Sequence, residues 1–438
     1  VQLPITIDPQ VGAAVIALLT FIALALGEIP GLKLNRATLA MVGAGATLIF
    51  GVLTLKQAES TIDLNTIILL LSMMIISAVL ELAGFFTKVG NLVIERANTP
   101  AVLLVLVVVT AGVLSMLFLN DPVCLMLTPM VCGVAIRLQR NPMPYLIALA
   151  CASNVGSVAT ITGNPQNILI GASSGIGYLY WLSRLGPIAA IGLVIVIAVI
   201  YVIYPKEFRG KAGTVPSVST PPHLLTSSAG GEGVSRGGEN ALMDLETAGT
   251  RIYTTTLRKS LIVIALMLVA FLAGVNVTVA AYIAACVILI SRRVESGRIL
   301  GLVDWPLLVM FGGLFIVTGA LEITGVSGWL FMQVQPIALS GTAALSLVTV
   351  VLSNLISNVP AVLLFRPLVP QFEDPTQTWL TLAAASTLAG NLTLIGSVAN
   401  LIVAEQAKKF GIVLTFGEYL KAGVVITALT IIVAIALL

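Results

Sequence analysis

The stretch Thr160-Ile161-Thr162-Gly163-Asn164-Pro165-Gln166-Asn167 lies inside an otherwise apolar segment, 143–172. Gly, Asn and Pro in succession interrupt a helix, because Pro lacks the amide donor and Gly and Asn favour turns. In hydrocarbon, a non-helical break is tolerated only where it is buried in protein or lines a cavity. A stretch of similar design, Thr393-Leu394-Ile395-Gly396-Ser397-Val398-Ala399-Asn400, follows 233 residues later, within 379–407. Leu119-Asn120-Asp121-Pro122 and Ser357-Asn358-Val359-Pro360 form a second pair, 238 residues apart. Asp63 opens an apolar run ending Leu80-Glu81-Leu82-Ala83-Gly84, and Asp304 opens one ending Leu321-Glu322-Ile323-Thr324-Gly325, offset by 241 at both ends. Three landmarks in one order, with a drift of a few residues, indicate an internal duplication.

Composition fixes the solvent. Only 41 of 438 residues are charged (22 Lys or Arg, 19 Asp or Glu), where a soluble domain carries roughly 25%. So few charges cannot cover a soluble surface, and the mean hydropathy of +1.08 agrees; a soluble enzyme is excluded. Uninterrupted apolar stretches exclude an outer-membrane barrel, whose strands alternate. A net charge of +3 with scattered basic residues argues against a nucleic-acid partner. Cys124, Cys132, Cys151 and Cys286 lie in apolar segments without C-x-x-C spacing and read as buried free thiols. The single histidine, His223, falls in a polar stretch, so neither a histidine-based metal site nor a cofactor is expected. From Val1 onward no signal-peptide pattern is expected either.

A spanning helix needs about 20 mostly apolar residues. Segments 11–29, 37–54, 64–83, 186–205, 259–274, 277–291, 305–322 and 415–438 qualify, while 99–139, 143–172, 338–370 and 379–407 are apolar but broken. Residues 206–258, rich in Gly, Ser, Thr and Pro, read as a flexible linker between the halves. With that linker cytoplasmic, and with 99–139 and 338–370 as re-entrant hairpins, 19 of the 22 basic residues fall inside; Lys56, Arg184 and Arg366 fall outside. One hairpin then opens inward and the other outward, so the repeats are inverted. The expected fold is an all-α polytopic membrane protein with two inverted-topology repeats, about ten spans and two hairpins. Residues 1–205 form the first repeat (hairpin 99–139, broken helix 143–172) and 259–438 the second (hairpin 338–370, broken helix 379–407). Both termini are expected on the outer side.

Inverted repeats with interrupted helices are the architecture of secondary transporters, with substrate held near the midplane between the repeats. Each break aims the positive end of a half-helix and its free N–H groups into a common space. Asn120 and Asp121 are expected to cap the second arm of their hairpin, with Pro122 starting it. Asn154, Ser157, Thr160, Thr162, Asn354, Asn391 and Thr393 surround the breaks. Any one of them could merely satisfy broken backbone; four breaks at matching positions favour a site. The expected substrate ligands are Asn120, Asn154, Thr160, Gly163, Asn164, Asn167, Asn358, Thr393, Gly396, Ser397 and Asn400. No Lys, Arg or His is expected among them, whereas a multivalent anion would usually recruit one. Asp121 is the single ionisable group of the cluster, matched by Val359 in the other half. A carboxyl near the midplane is costly unless it works, so a proton or cation role is the default. Glu28, Glu81, Glu322 and Glu405 lie near predicted membrane boundaries and read as anchors.

With these residues assembled, Ser153-Asn154-Val155-Gly156-Ser157-Val158-Ala159-Thr160-Ile161-Thr162-Gly163-Asn164-Pro165-Gln166-Asn167 resembles the signature of the ion-transporter superfamily. Among its members, arsenite-efflux (ArsB-type) permeases and plant silicon-efflux transporters are most similar. Asn120-Asp121, Ser357-Asn358-Val359-Pro360 and Ala389 through Asn400 resemble them too, so the likeness covers about 11–205 and 259–438. It implies a scaffold plus a transport domain that moves as an elevator. It also implies a neutral metalloid hydroxide as substrate (arsenite, antimonite or silicic acid), expelled across the inner membrane in exchange for protons. Sodium-coupled dicarboxylate carriers of the superfamily carry Ser-Asn-Thr at both tips; here the tips read Leu-Asn-Asp and Ser-Asn-Val. Sodium coupling of an anion, sodium/proton exchange and a passive channel stand as alternatives. Some ArsB-type pumps use a separate ATPase subunit, and this chain has no phosphate loop of its own. A homodimer stands as an open option.

Overall fold

The computed structural model describes residues 8–26, 34–209, 254–290, 294–329, 332 and 341–438. Most of the expected linker, together with His223 and Glu28, lies outside the described residues, as do 338–340 at the start of the second hairpin. Within them every regular element is a helix. In chain order these are α1 (Pro9–Leu26), α2 (Arg36–Ile49), α3 (Leu55–Thr61), α4 (Leu64–Leu82), α5 (Phe85–Arg96), α6 (Pro100–Leu117) and α7 (Asn120–Arg137). Next come α8 (Met143–Ser157), α9 (Pro165–Ser174), α10 (Tyr178–Ile203), α11 (Pro205–Arg209), α12 (Thr254–Leu272), α13 (Val277–Leu289), α14 (Ser296–Gly301) and α15 (Trp305–Ile323). Last are α16 (Thr342–Ile356), α17 (Asn358–Phe365), α18 (Pro375–Ala389), α19 (Val398–Lys409) and α20 (Phe416–Leu437).

Local chemistry sets the starts of these helices. Asp63 caps α4 by accepting from the amides of Asn65 and Thr66, and Asp304 caps α15 by accepting from Leu307. Thr99 caps α6 ahead of Pro100, and Asp374 caps α18 ahead of Pro375. Pro at the first helical position loses no bond there, because that amide has no intrahelical partner.

Helices α4, α6, α10, α12, α15 and α20 are each long and apolar enough to cross a bilayer, and α2, α13 and α16 are shorter apolar helices. The chain is therefore a multi-pass membrane protein. Two differences from the sequence expectation concern lengths. Helix α10 begins at Tyr178, ahead of the expected 186, because Pro187 sits inside it without ending it. The first arm of the expected hairpin 99–139, α6, reaches spanning length by itself. Cys286 is exposed on α13, unlike the other three cysteines, which are buried; among the described residues nothing covers its face of α13.

Packing divides the helices into two groups. In one, α2 lies against α15 and α13 against α4, so both contacts join the two halves of the chain. In the other, α6 lies on α8, α7 on α19, α16 on α18, and α10 on α20. Approach is close where side chains vanish: a Cβ on Gly156 would fall 2.2 Å from the carbonyl oxygen of Gly112. Small residues let membrane helices pack by backbone contact, which substitutes for the missing hydrophobic drive between them.

Candidate functional site

Two hairpins and two broken helices converge in the second group. Helices α6 and α7 meet at Phe118-Leu119, and α16 and α17 meet at Ser357. The first tip is tied to the first break by the Asn120 amide, which donates to the Gly163 carbonyl at 3.0 Å. Gly163 has no room for a side chain, since a Cβ there would lie 2.3 Å from the Ser157 carbonyl oxygen. Asn120 and Asp121 do not cap α7 as the sequence suggested. The cap position is Leu119, which makes no side-chain bond, and both polar side chains sit inside the first turn, free for other partners. At the second tip Ser357 adopts φ 80°, ψ 158°, a region populated almost only by glycine and costing about 1–3 kcal/mol for other residues. Such strain persists only where surrounding packing holds it.

The amides of the breaks divide into braces and cavity-lining groups. Asn167 Nδ2 donates to the carbonyls of Ser157 (2.9 Å) and Thr160 (3.0 Å). Asn400 Nδ2 donates to the carbonyls of Gly390 (2.7 Å) and Thr393 (3.1 Å), at the same sequence spacings. Each asparagine thus closes the gap in its own helix. Asn164 caps α9 by accepting from the Asn167 amide at 2.8 Å, and donates to the hydroxyls of Ser157 (2.8 Å) and Thr387 (3.2 Å). Asn154 is saturated at the centre. Its oxygen accepts from Asn120 (3.1 Å) and Ser397 (3.0 Å), while its nitrogen donates to Asn391 (2.9 Å) and Asn400 (3.0 Å). Thr160 donates to the Met116 carbonyl, and Thr393 to Asn354 Oδ1 at 3.1 Å.

A cavity of ≈ 280 Å³ lies where the tips meet. Of the expected site residues, Asn120, Asp121, Asn358 and Ser397 line it. Asn154, Thr160, Gly163, Asn164, Asn167, Thr393, Gly396 and Asn400 do not, and stand behind the wall as the bracing network. Asn120 and Asn358 are 5% and 8% exposed, and the side-chain amide oxygen of each is buried without a hydrogen-bond partner. Each of the two tips thus carries a buried acceptor without a partner among the described residues. Buried polar groups are almost always paired, so the orphan oxygens are suited to a ligand that donates hydrogen bonds.

Five further polar lining residues were not expected as ligands from sequence: Asn35, Arg36, Gln166, Asp304 and Ser357. Gln166 stood within the quoted motif, and the Pro165 beside it could have flagged it. Arg36 corrects the expectation of a site free of basic groups; at the entrance of an apolar helix it looks in sequence like an interfacial anchor. Only packing of α2 on α15 brings Arg36 and Asp304 to the tips. Among the described residues no group of His, Cys, Asp and Glu is arranged to hold a metal ion.

Comparison with known proteins accords with this architecture. The model of the family described as citrate transporter (CitMHS) matches residues 16–389. The chain is 30% identical over 429 residues to the silicon efflux transporter LSI3 of Oryza sativa subsp. japonica, covering 87% of each protein. It is 27% identical over 492 residues to the transporter arsB of Dictyostelium discoideum, covering 92% of this chain and 87% of that one. A 46 kDa membrane protein of Mycobacterium leprae is 30% identical over 426 residues, with 92% and 93% covered.

Proposed function

Because this chain belongs to the citrate transporter (CitMHS) family of the ion-transporter superfamily, and is a transporter and not an enzyme, we propose that it exports a small neutral metalloid hydroxide in exchange for protons. The observation that carries this reading is that Asn120 and Asn358, each with a buried amide oxygen unpartnered among the described residues, line one cavity together with Asp121. Arsenite, antimonite and silicic acid are neutral at pH 7 and present several hydroxyl donors, which fit such acceptors. The name of the rice relative, a silicon efflux transporter, supports the same substrate class. Asp121 acts as the proton-coupling group; Asn120, Asn358 and Ser397 bind the substrate.

The two halves act as inverted repeats, and the hairpins with their broken helices move as one body against the α2, α4, α13 and α15 frame. The excess of Lys and Arg supports reading the Arg36 end as cytoplasmic in an inner membrane. The cavity then faces the cytoplasm, the loading state of an exporter. Everted vesicles loaded with acid inside should accumulate arsenite, and should lose uphill uptake when the proton gradient is dissipated. Strict dependence on sodium would refute the coupling, and gradient-independent equilibration would indicate a channel.

One observation favours a second reading. Arg36 lines the cavity, and a guanidinium is the usual partner of a carboxylate. With the family's description, it supports a carboxylate anion as substrate. A thermal-stabilisation panel of arsenite, antimonite, silicic acid and citrate separates the two.

A further inference from the structure

Helix α15 runs from the cavity to the opposite end of the molecule. Pro306 and Leu307 near its start line the cavity, and Glu322 near its end lines a second one of ≈ 520 Å³. A helix of 19 residues is about 28 Å long, so the two ends are well separated. Short helix α9 links them as well. Pro165 and Gln166 touch the first cavity, Ser173 touches the second, and the helix from Pro165 to Ile170 is buried.

At that far end an arginine bridges the two packing groups. Arg366 follows α17, the second arm of a hairpin, and its Nη2 lies 3.4 Å from Asp63 Oδ2 at the start of α4. Its guanidinium also stands over the Phe315 ring of α15, 5.6 Å from the centroid. The two oxygens of Asp63 divide the work: Oδ1 accepts from the amides of Asn65 (3.0 Å) and Thr66 (3.3 Å), leaving Oδ2 for the guanidinium. The Asp63 side chain is 9% exposed and that of Arg366 33%. At the near end the matching cap residue, Asp304, accepts from the Leu307 amide, forms no ion pair among the described residues, and lines the open cavity. One end thus has its capping carboxylate engaged by a hairpin cation, and the other end does not.

From this contrast we infer that Asp63, Arg366 and Phe315 form a latch that shuts the substrate cavity off from the Asp63 end and must part before the cavity can open there. The inference rests on the movement of the hairpins against the helical frame proposed above. A hairpin moving against the α4–α15 frame carries Arg366 away from both partners, so their attraction biases the protein toward the state with the cavity open at the Arg36 end. Removing it should shift the equilibrium by about fivefold, the range of a partly exposed ion pair.

The test is reporter labelling in vesicles. Val398→Cys, at a position exposed in the cavity, is introduced with Cys286→Ala and labelled with a membrane-impermeant maleimide from either face. Asp63→Asn keeps the oxygen that caps α4 while removing the charge. This variant and Arg366→Gln should each speed labelling from the opposite face by up to about fivefold, with a smaller slowing from the already favoured Arg36 face. Arg366→Lys, which keeps the charge but not the planar fork, should lie between. If Arg366→Gln does not fold, Asp63→Asn and Phe315→Leu carry the test. One-sided labelling unchanged by these substitutions overturns the latch alone. Equal labelling from both faces of the reporter protein, unchanged by every substitution, overturns the proposed movement and the latch with it.

Discussion

Asn167→Ala and Asn358→Ala should separate the bracing asparagines from those that face substrate. Asn167 Nδ2 donates at 2.9 and 3.0 Å to the buried carbonyls of Ser157 and Thr160. After truncation the Ser157 carbonyl loses that partner, while the Thr160 carbonyl keeps a 3.4 Å bond from the Gly163 amide. The Thr387 hydroxyl also loses the Asn167 Oδ1 that it meets at 3.3 Å. One fully and one partly orphaned carbonyl and this weakened hydroxyl, at 1–3 kcal/mol per buried unsatisfied group, give a loss of about 3–5 kcal/mol. Asn400→Ala should behave alike, since Asn400 bridges Gly390 and Thr393 in the same way. Asn358 has an amide oxygen with no partner to lose, so Asn358→Ala should stay within about 1 kcal/mol of the parent. It should instead weaken substrate by the worth of one hydrogen bond, roughly 3- to 10-fold in Kd. Thermal unfolding in detergent, with and without arsenite, reads both effects. Parental stability of Asn167→Ala, or collapse of Asn358→Ala with ligand response intact, would refute the division.

Three other outcomes follow from the geometry. Asp121→Asn, at a cavity-lining position, should abolish proton-driven uphill transport while the protein still folds and inserts, measured as arsenite uptake into everted vesicles under an imposed proton gradient. Arg36→Gln should leave stabilisation by a neutral metalloid within about twofold but remove stabilisation by citrate, if the anion reading holds. Ser357→Gly should relieve the positive φ at the second tip and raise the unfolding temperature by the equivalent of about 1 kcal/mol, while loosening the tip should lower substrate affinity.

How much of the site was readable depended on whether its residues shared a segment. The tip asparagines and the breaks stand in short motifs, where Pro, Gly and Asn announce a non-helical element inside an apolar run. Which side of the wall each amide faces was not readable. Asn164 and Asn167 carry the same side chain as Asn120 within one motif pair, yet their donors are directed at backbone and at Thr387. Arg36 and Asp304 were invisible as site residues because each reaches the cavity through contact with a helix from the other half of the chain.

Sequence by itself determined the solvent, the helical class and the four breaks. Those properties follow from local rules: charge scarcity, apolar run length, and the inability of Gly-Asn-Pro to continue a helix. Tertiary structure alone decided which polar groups were left over. Hydrogen bonding between segments is a matching problem, and only after Asn154, Asn164, Asn167 and Asn400 have found their partners do the oxygens of Asn120 and Asn358 remain unpaired. It also brought Arg366 to Asp63, a pair of residues far apart in the chain that no sequence spacing could bring together.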